Sequence, residues 1–268
     1  MNNYPFFSVI ISTYSMKHLD KSIKSLLTQT YKNFEIILVN DNPSNKDKID
    51  ELFLNEKKIK IIHNKTNIGL TKSLNKAFQF SQGDIIVRQD DDDISFDYRF
   101  EYLVKEFNKK PRADIIGSYT ILKKNLTDGT GLVIKSPLTH NDILKQLLKT
   151  NCLQHPSIAM KREVLLAFNG YNETYRYAQD YDLFLRAALM NYKFKVIPKP
   201  LVIRLYGKNN ITTLKRKSQL LYAISAQCHY LAKQEKHQLN HYIAVFLNVA
   251  RLFIPNIFRQ FYACFKLF

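Results

Sequence analysis

Four consecutive aspartates, Asp90 to Asp93, follow the short apolar run Ile85-Ile-Val87 in a chain of formal net charge +17. Crowded carboxylates repel and raise one another's pKa unless a cation is present. A hard divalent ion, Mg²⁺ or Mn²⁺, takes oxygen ligands and relieves that repulsion. The reading is a strand end that holds a metal, with the metal holding a diphosphate; the alternative is a solvated acidic turn. A second acidic group, Gln179-Asp180-Tyr181-Asp182, opens a helical pattern. Carboxylates there complement the helix N-terminus, so on residue type alone Asp180 serves as well for capping as for chemistry.

The elements that must position these groups come from the apolar pattern. Phe7–Ser12 and Phe34–Val39 are continuous apolar runs of the kind found in strands buried on both faces. Leu19, Ile23, Leu26 and Leu27 mark a helix between them. A polar helix over 46–55, a strand Ile59–Ile62 and a helix with Leu70, Leu74, Ala77 and Phe78 inward precede the strand into the aspartates. Four strand–helix alternations in 90 residues predict an α/β fold, a mainly parallel Rossmann-like sheet flanked by helices. Ligands of such sheets sit beyond the strand carboxyl ends. Thr13-Tyr14, Asn40-Asp41, Asn67/Gly69 and Asp90–Asp93 all fall there, and so converge on one crevice.

Further on, Phe100, Leu103, Val104 and Phe107 mark a helix, 114–122 a strand, Asp128-Gly129 a turn and Leu132–Ile134 a strand. Ile143, Leu144, Leu147 and Leu148 mark another helix. Strands are expected over Ser157–Met160, Phe194–Ile197 and Leu201–Leu205, with a helix from Gln179 to about Met190. The expected division is a domain over 1–212 and a basic, amphipathic helical extension over 213–268. There Arg251, Arg259 and Lys266 lie opposite an aromatic face, the pattern of a helix at a membrane interface, with packing on the core or a dimer as alternatives.

Composition narrows the function. With 46% hydrophobic residues among 268 the chain is globular. Three separated cysteines give no zinc or redox motif. The N-terminus lacks a signal-peptide pattern and no window is apolar enough to span a bilayer, so a cytoplasmic location is expected. The basic excess calls for an anionic partner. Nucleic acid is not expected, because the basic residues are spread along the chain rather than gathered with aromatics. A dinucleotide oxidoreductase lacks its glycine turn, since residues 12–17 read Ser-Thr-Tyr-Ser-Met-Lys.

Ser8-Val-Ile-Ile-Ser-Thr-Tyr14, Glu35-Ile-Ile-Leu-Val-Asn-Asp41, Asn67-Ile-Gly69, the aspartates and Gln179-Asp-Tyr-Asp-Leu183 together resemble the family-2 inverting glycosyltransferases with a GT-A fold. The finer likeness is to bacterial enzymes building lipopolysaccharide, capsule or exopolysaccharide, and it covers about residues 6–207. The resemblance implies a nucleotide-sugar donor and an inverting transfer that needs Mn²⁺ or Mg²⁺. It assigns Asp90 and Asp92 to the Asp-x-Asp element and Asp93 to the next acidic position. Asp92 is the expected main metal ligand, Asp90 faces ribose or metal, and Asp91 points away.

Asp180 matches the family's general base, with Gln179 where glutamate is common. Thr13 and Tyr14 are expected near base and ribose, with Asn67 and Gly69 beside them. Asp41 would accept from a pyrimidine N3–H, which favours UDP- or dTDP-sugars. Lys72 and Asn75 lie within possible reach of the nucleotide. His155 lines the acceptor side. Relatives often carry a histidine after the arginine equivalent to Arg204; here Lys208 is the candidate for phosphate charge. The expected acceptor is a saccharide, polyprenyl-diphosphate-linked, at the inner face of the membrane, with the basic tail on the anionic lipid surface. The alternative is an inactive nucleotide-sugar-binding relative.

Overall fold

The computed structural model describes residues 4–127, 129–206, 215–234 and 239–253. Lys208, Asp128, Arg259, Lys266 and the last aromatic residues of the tail lie outside the described residues.

The strand–helix alternation builds one sheet. β1 (Phe7–Thr13) pairs in parallel with β2 (Phe34–Asn40) and β4 (Ile85–Arg88), and β2 pairs in parallel with β3 (Ile59–His63). The register aligns Thr13 with Asn40 and Asn40 with His63, so three strand ends finish level. Beyond β4 the sheet becomes mixed. β8 (Ala159–Lys161) is antiparallel to β4 and to β6 (Ile115–Lys123). β6 is parallel to β9 (Phe194–Leu205), which carries the short β5 (Ile94–Ser95) on its far edge. β7 (Leu132–Ile134) pairs with β6.

Alternate residues of the central strands point to opposite faces. Val9, Ile11, Ile36, Leu38 and Val87 pack with α1 (Leu19–Leu27), α2 (Lys46–Phe53) and α4 (Arg99–Phe107). Ile10, Ile37, Val39 and Ile86 share the opposite core with Leu74 and Ala77 of α3 (Leu70–Phe80) and Ile143 and Leu147 of α5 (His140–Leu147). The same core takes in Val164 of α6 (Arg162–Ala167) and Leu183 and Leu185 of α7 (Gln179–Leu189). In the tail, α8 (Arg216–Ala232) packs on α7 and α9 (Leu239–Phe253) packs on α8. Their buried residues are Ala226, Gln227, Tyr230 and Leu231, then His241, Ala244 and Asn248.

Three local expectations differ. The runs 194–197 and 201–205 are one strand. Pro198 and Pro200 interrupt its apolar pattern, and register shifts around Tyr119 absorb them as a bulge. The strand expected from Ser157 begins at Ala159, because His155–Ser157 form a 3₁₀ turn with a proline near its start. The six-residue α6 was not foreseen; it is too short to display a helical period.

Candidate active site

The aspartate turn is built on buried polar residues. Gln89 is fully buried, and its Nε2 donates to Asp93 O at 2.7 Å. Its Oε1 accepts from Ser95 Oγ at 2.9 Å and from the Arg99 guanidinium at 2.8 Å. Ser22 Oγ, from α1, donates to Asp90 O at 2.9 Å. Arg99, from α4, also donates to the carbonyls of Arg88 and Pro156, both at 2.9 Å. The turn is therefore clamped from both sides, and its carboxylates are held by the scaffold.

One oxygen from each of Asp90, Asp92 and Asp93 lies within 4.8 Å of the others. Asp91 stands outside this group and accepts from Thr13 Oγ1 at 2.6 Å. Burial works against ionising Asp90, but the charges of Arg88 and Arg204 outweigh it and hold its carboxyl below the usual range. Arg88, itself buried, donates to the Asp90 carboxylate. Burial, with the charges of Asp90 and Asp91, pushes Asp92 up to about 7. Burial and the charges of Asp90 and Asp92 raise Asp93 well above its ordinary value. Asp93 Oδ1 accepts from Leu205 N at 3.3 Å, while its buried Oδ2 has no hydrogen-bond partner. An all-oxygen donor set, mutual repulsion and an orphaned carboxylate oxygen fit a hard divalent cation.

On the β1–β3 side Asp41 is 4% exposed. Its Oδ1 accepts from Asn64 Nδ2 at 2.9 Å and Ile68 N at 2.8 Å, and its Oδ2 from Gly69 N at 2.9 Å. Asp41 thus organises the Asn67–Gly69 turn, where Gly69 adopts φ +86°, a value that favours glycine. A lone pair of Oδ2 is left for a further donor. Tyr14 is exposed at the crevice rim, its carbonyl held by the side-chain amides of Asn42 and Asn45. Lys72 is exposed on α3. Asn75 instead clamps a distant loop: it bonds Tyr171 N at 2.7 Å, Tyr171 O at 2.8 Å and Glu173 at 3.0 Å.

That loop leads to the other wall. Ala178 takes a left-handed φ of 56° and starts α7 with Gln179 and Asp180 in its first turn. Asp182 is committed to Arg186 at 2.8 Å. Asp180 has a neutral partner, Asn151, whose Nδ2 lies 2.7 Å from Asp180 Oδ2. Gln179 is buried beside it. His155 Nε2 is 3.0 Å from the Tyr171 hydroxyl. Burial, reinforced by Arg88, pushes His155 down to about 4, so it is neutral near pH 7. Asp90 and Asp180 both act electrostatically on His155 and Tyr171, which pair with each other.

Residues 8–189 match glycosyl transferase family 2. The chain belongs to this family. The UDP-Gal:alpha-D-GlcNAc-diphosphoundecaprenol beta-1,3-galactosyltransferase of Escherichia coli is 26% identical over 96% of this chain and 94% of its own. S. aureus TarS 1–349, solved with UDP-GlcNAc, superposes with a TM-score of 0.72 over 92% of this chain and 72% of its own, at 16% identity. The mannosyltransferase PcManGT of Pyrobaculum calidifontis, solved with GDP-Man and Mn²⁺, gives a TM-score of 0.66 over 92% of this chain and 70% of its own, also at 16% identity. The fold is GT-A, and the chain is a family-2 glycosyltransferase.

Arg88, Gln89, Ser22, Arg99, Asn64 and Asn151 escaped the sequence reading. Only Arg88 left a signal there, a charge ending the apolar run Ile85–Val87. The others are polar residues whose meaning comes from partners that only the fold supplies, such as Asn64 on Asp41 or Asn151 on Asp180.

Proposed function

We propose that this glycosyltransferase moves a sugar, with inversion, from a UDP- or dTDP-sugar to a hydroxyl of a lipid-linked saccharide in surface polysaccharide biosynthesis. What supports this reading is the cluster of Asp90, Asp92 and Asp93 beyond the end of β4, together with Asp180 in the first turn of α7, held by Asn151. Asp92, Asp90 and Asp93 would hold Mn²⁺ or Mg²⁺, which supplies charge to stabilise a departing diphosphate. Thr13, Tyr14, Asp41, Asn67 and Gly69 form the wall that receives the nucleotide, and Lys72 lends charge from its edge; Lys208, outside the described residues, stays the candidate for phosphate charge named from the sequence.

Asp180 takes the proton of the acceptor hydroxyl as that oxygen bonds to the anomeric carbon. The bond from that carbon to the diphosphate oxygen breaks, and the nucleoside diphosphate leaves with the electron pair. A base must reach the hydroxyl and be ionised when it arrives. Asp182, held by Arg186, is not available for this role. His155 and Gln179 line the acceptor side as neutral hydrogen-bonding groups.

Lipid linkage is supported by the E. coli relative, whose name specifies a diphosphoundecaprenol acceptor, and by the tail. Helix α9 exposes Leu239, Tyr242, Ile243, Phe246 and Phe253 at helical spacing. Among the described residues no helix is long and apolar enough to cross a membrane. An apolar face on a basic protein suits peripheral contact with an anionic inner leaflet. The test is transfer from UDP-galactose, UDP-glucose or UDP-GlcNAc to an N-acetylglucosamine-diphosphate-lipid with added Mn²⁺. Labelled disaccharide-lipid that disappears with EDTA supports the reading; transfer unaffected by EDTA contradicts the metal role.

A further inference from the structure

The Asp180 carboxylate is oriented from outside its own helix. Asn151 lies just beyond α5; its Oδ1 accepts from Leu153 N at 3.2 Å, which leaves Nδ2 to face Asp180 Oδ2 at 2.7 Å. With the amide oxygen committed, the amide nitrogen must point at the carboxylate. The chain just before Asn151 is held in turn by the tail. Gln227 Nε2, on α8, donates to the carbonyls of Leu148 at 3.1 Å and Lys149 at 3.2 Å. Asn248 Nδ2, on α9, donates to Lys149 O at 3.1 Å and to Gln227 Oε1 at 2.9 Å. The Tyr181 hydroxyl, next to Asp180 in α7, donates to Leu147 O.

Gln227 and Asn248 are 2% and 5% exposed. A buried amide left without partners is costly, so the pair favours a single arrangement of helices and turn. The contacts run without a gap from α9 through α8 and the 148–151 turn to the first turn of α7.

We propose that Asn151 is a positioning residue that aims the Asp180 carboxylate, and that the two C-terminal helices hold Asn151 in place through Gln227 and Asn248. This rests on Asp180 as the base. It makes the tail a working part of the catalytic site. Besides Asn151, the groups within charge range of Asp180 are His155, from the 3₁₀ turn, and Tyr171, from the loop before α7; Arg88 of β4 is within charge range of both.

The test uses the full chain with UDP-galactose, Mn²⁺ and an N-acetylglucosamine-diphosphate-lipid. Asn151→Ala should lower kcat by roughly 10- to 100-fold, the scale of a small misplacement of a catalytic group. The KM for UDP-galactose should stay within about two-fold. Asn151→Asp keeps size and shape but loses the donor. It should lose comparable activity and move the acid limb of kcat to higher pH, because two close carboxylates disfavour ionisation. Gln227→Leu and Asn248→Leu should each lower kcat without changing the donor KM. The double variant should be less impaired than the product of the two effects, as expected of residues in one network.

Wild-type kcat in both Asn151 variants overturns the proposal. So does a fall in UDP affinity and melting temperature that tracks kcat, which would mark a merely structural role. If Asp180→Asn abolishes transfer while Asn151→Ala leaves it intact, this inference fails and the base assignment stands. If Asp180→Asn retains full transfer, both fail.

Discussion

At the scale of single residues the aspartates and the arginine beneath them make opposed demands. Without a bound cation, burial and the neighbouring carboxylates push Asp92 up to about 7 and raise Asp93 as well. A metal requires the ionised forms, so its binding expels protons. Mn²⁺ affinity should therefore rise as pH increases from 6 to 8. Calorimetry in buffers of different ionisation enthalpy should register proton release, larger at pH 6. The stability of the metal-free protein follows the opposite sign. A carboxyl raised in the folded state favours folding when protonated, and that advantage is lost as pH climbs through about 7. The stabilisation gained from Mn²⁺ in a thermal melt should accordingly be larger at pH 8 than at pH 6.

Arg88 is the counterpart. Its guanidinium is 1% exposed and paired with Asp90. Arg88→Met leaves the half-buried Asp90 carboxylate without its cation, a loss of about 1–3 kcal/mol for a charged group deprived of its partner. Urea denaturation should show that loss. Asp90→Asn in the same background should recover part of it by removing the stranded charge.

At the scale of elements, the loop from Phe168 to Ala178 ties α3, through Asn75, to the first turn of α7. Gly170 sits at φ +88°, and a Cβ there would lie 2.4 Å from Asn75 Oδ1. Gly170→Ala should destabilise the protein by about 1–3 kcal/mol through strain and by displacing Asn75. It should also impair transfer more than UDP binding, because the loop carries Tyr171 and leads to Asp180. Melting curves and a comparison of kcat with UDP affinity would separate the two effects.

Legibility divides along the same line. Strands β1, β2 and β4 could be read because parallel strands buried on both faces are continuous apolar runs. β9 was read as two strands because Pro198 and Pro200 break its pattern, while the backbone stays extended through a bulge. The run Asp90–Asp93 stood out by type and spacing, while Asp180 was singled out only by the family resemblance. Asn151, Gln89 and Asn64 could not, since a buried amide looks like a surface amide until its partner is known.

At the scale of the whole molecule, the proposed contact with an anionic surface rests on a net charge of +17 and the exposed apolar residues of α9. Phe246 is 70% exposed, and burying a phenylalanine in an apolar phase is worth roughly 1.5–3 kcal/mol. Phe246→Asp should cut co-sedimentation with phosphatidylglycerol vesicles by at least about ten-fold and leave UDP binding unchanged. Binding by the wild type should weaken with added salt, as charge attraction is screened. Equal binding to neutral and anionic vesicles would contradict the role given to the basic surface.

The central claim is that Asp180 and the Asp90–Asp93 cluster form one inverting transfer site. It is tested most directly by assaying Asp180→Asn for Mn²⁺-dependent transfer from UDP-galactose, UDP-glucose or UDP-GlcNAc to an N-acetylglucosamine-diphosphate-lipid, alongside titration of UDP binding. The account predicts that UDP and Mn²⁺ bind with wild-type affinity while transfer falls by at least about 10²- to 10⁴-fold, the contribution of a general base. Transfer by Asp180→Asn at the wild-type rate would contradict it.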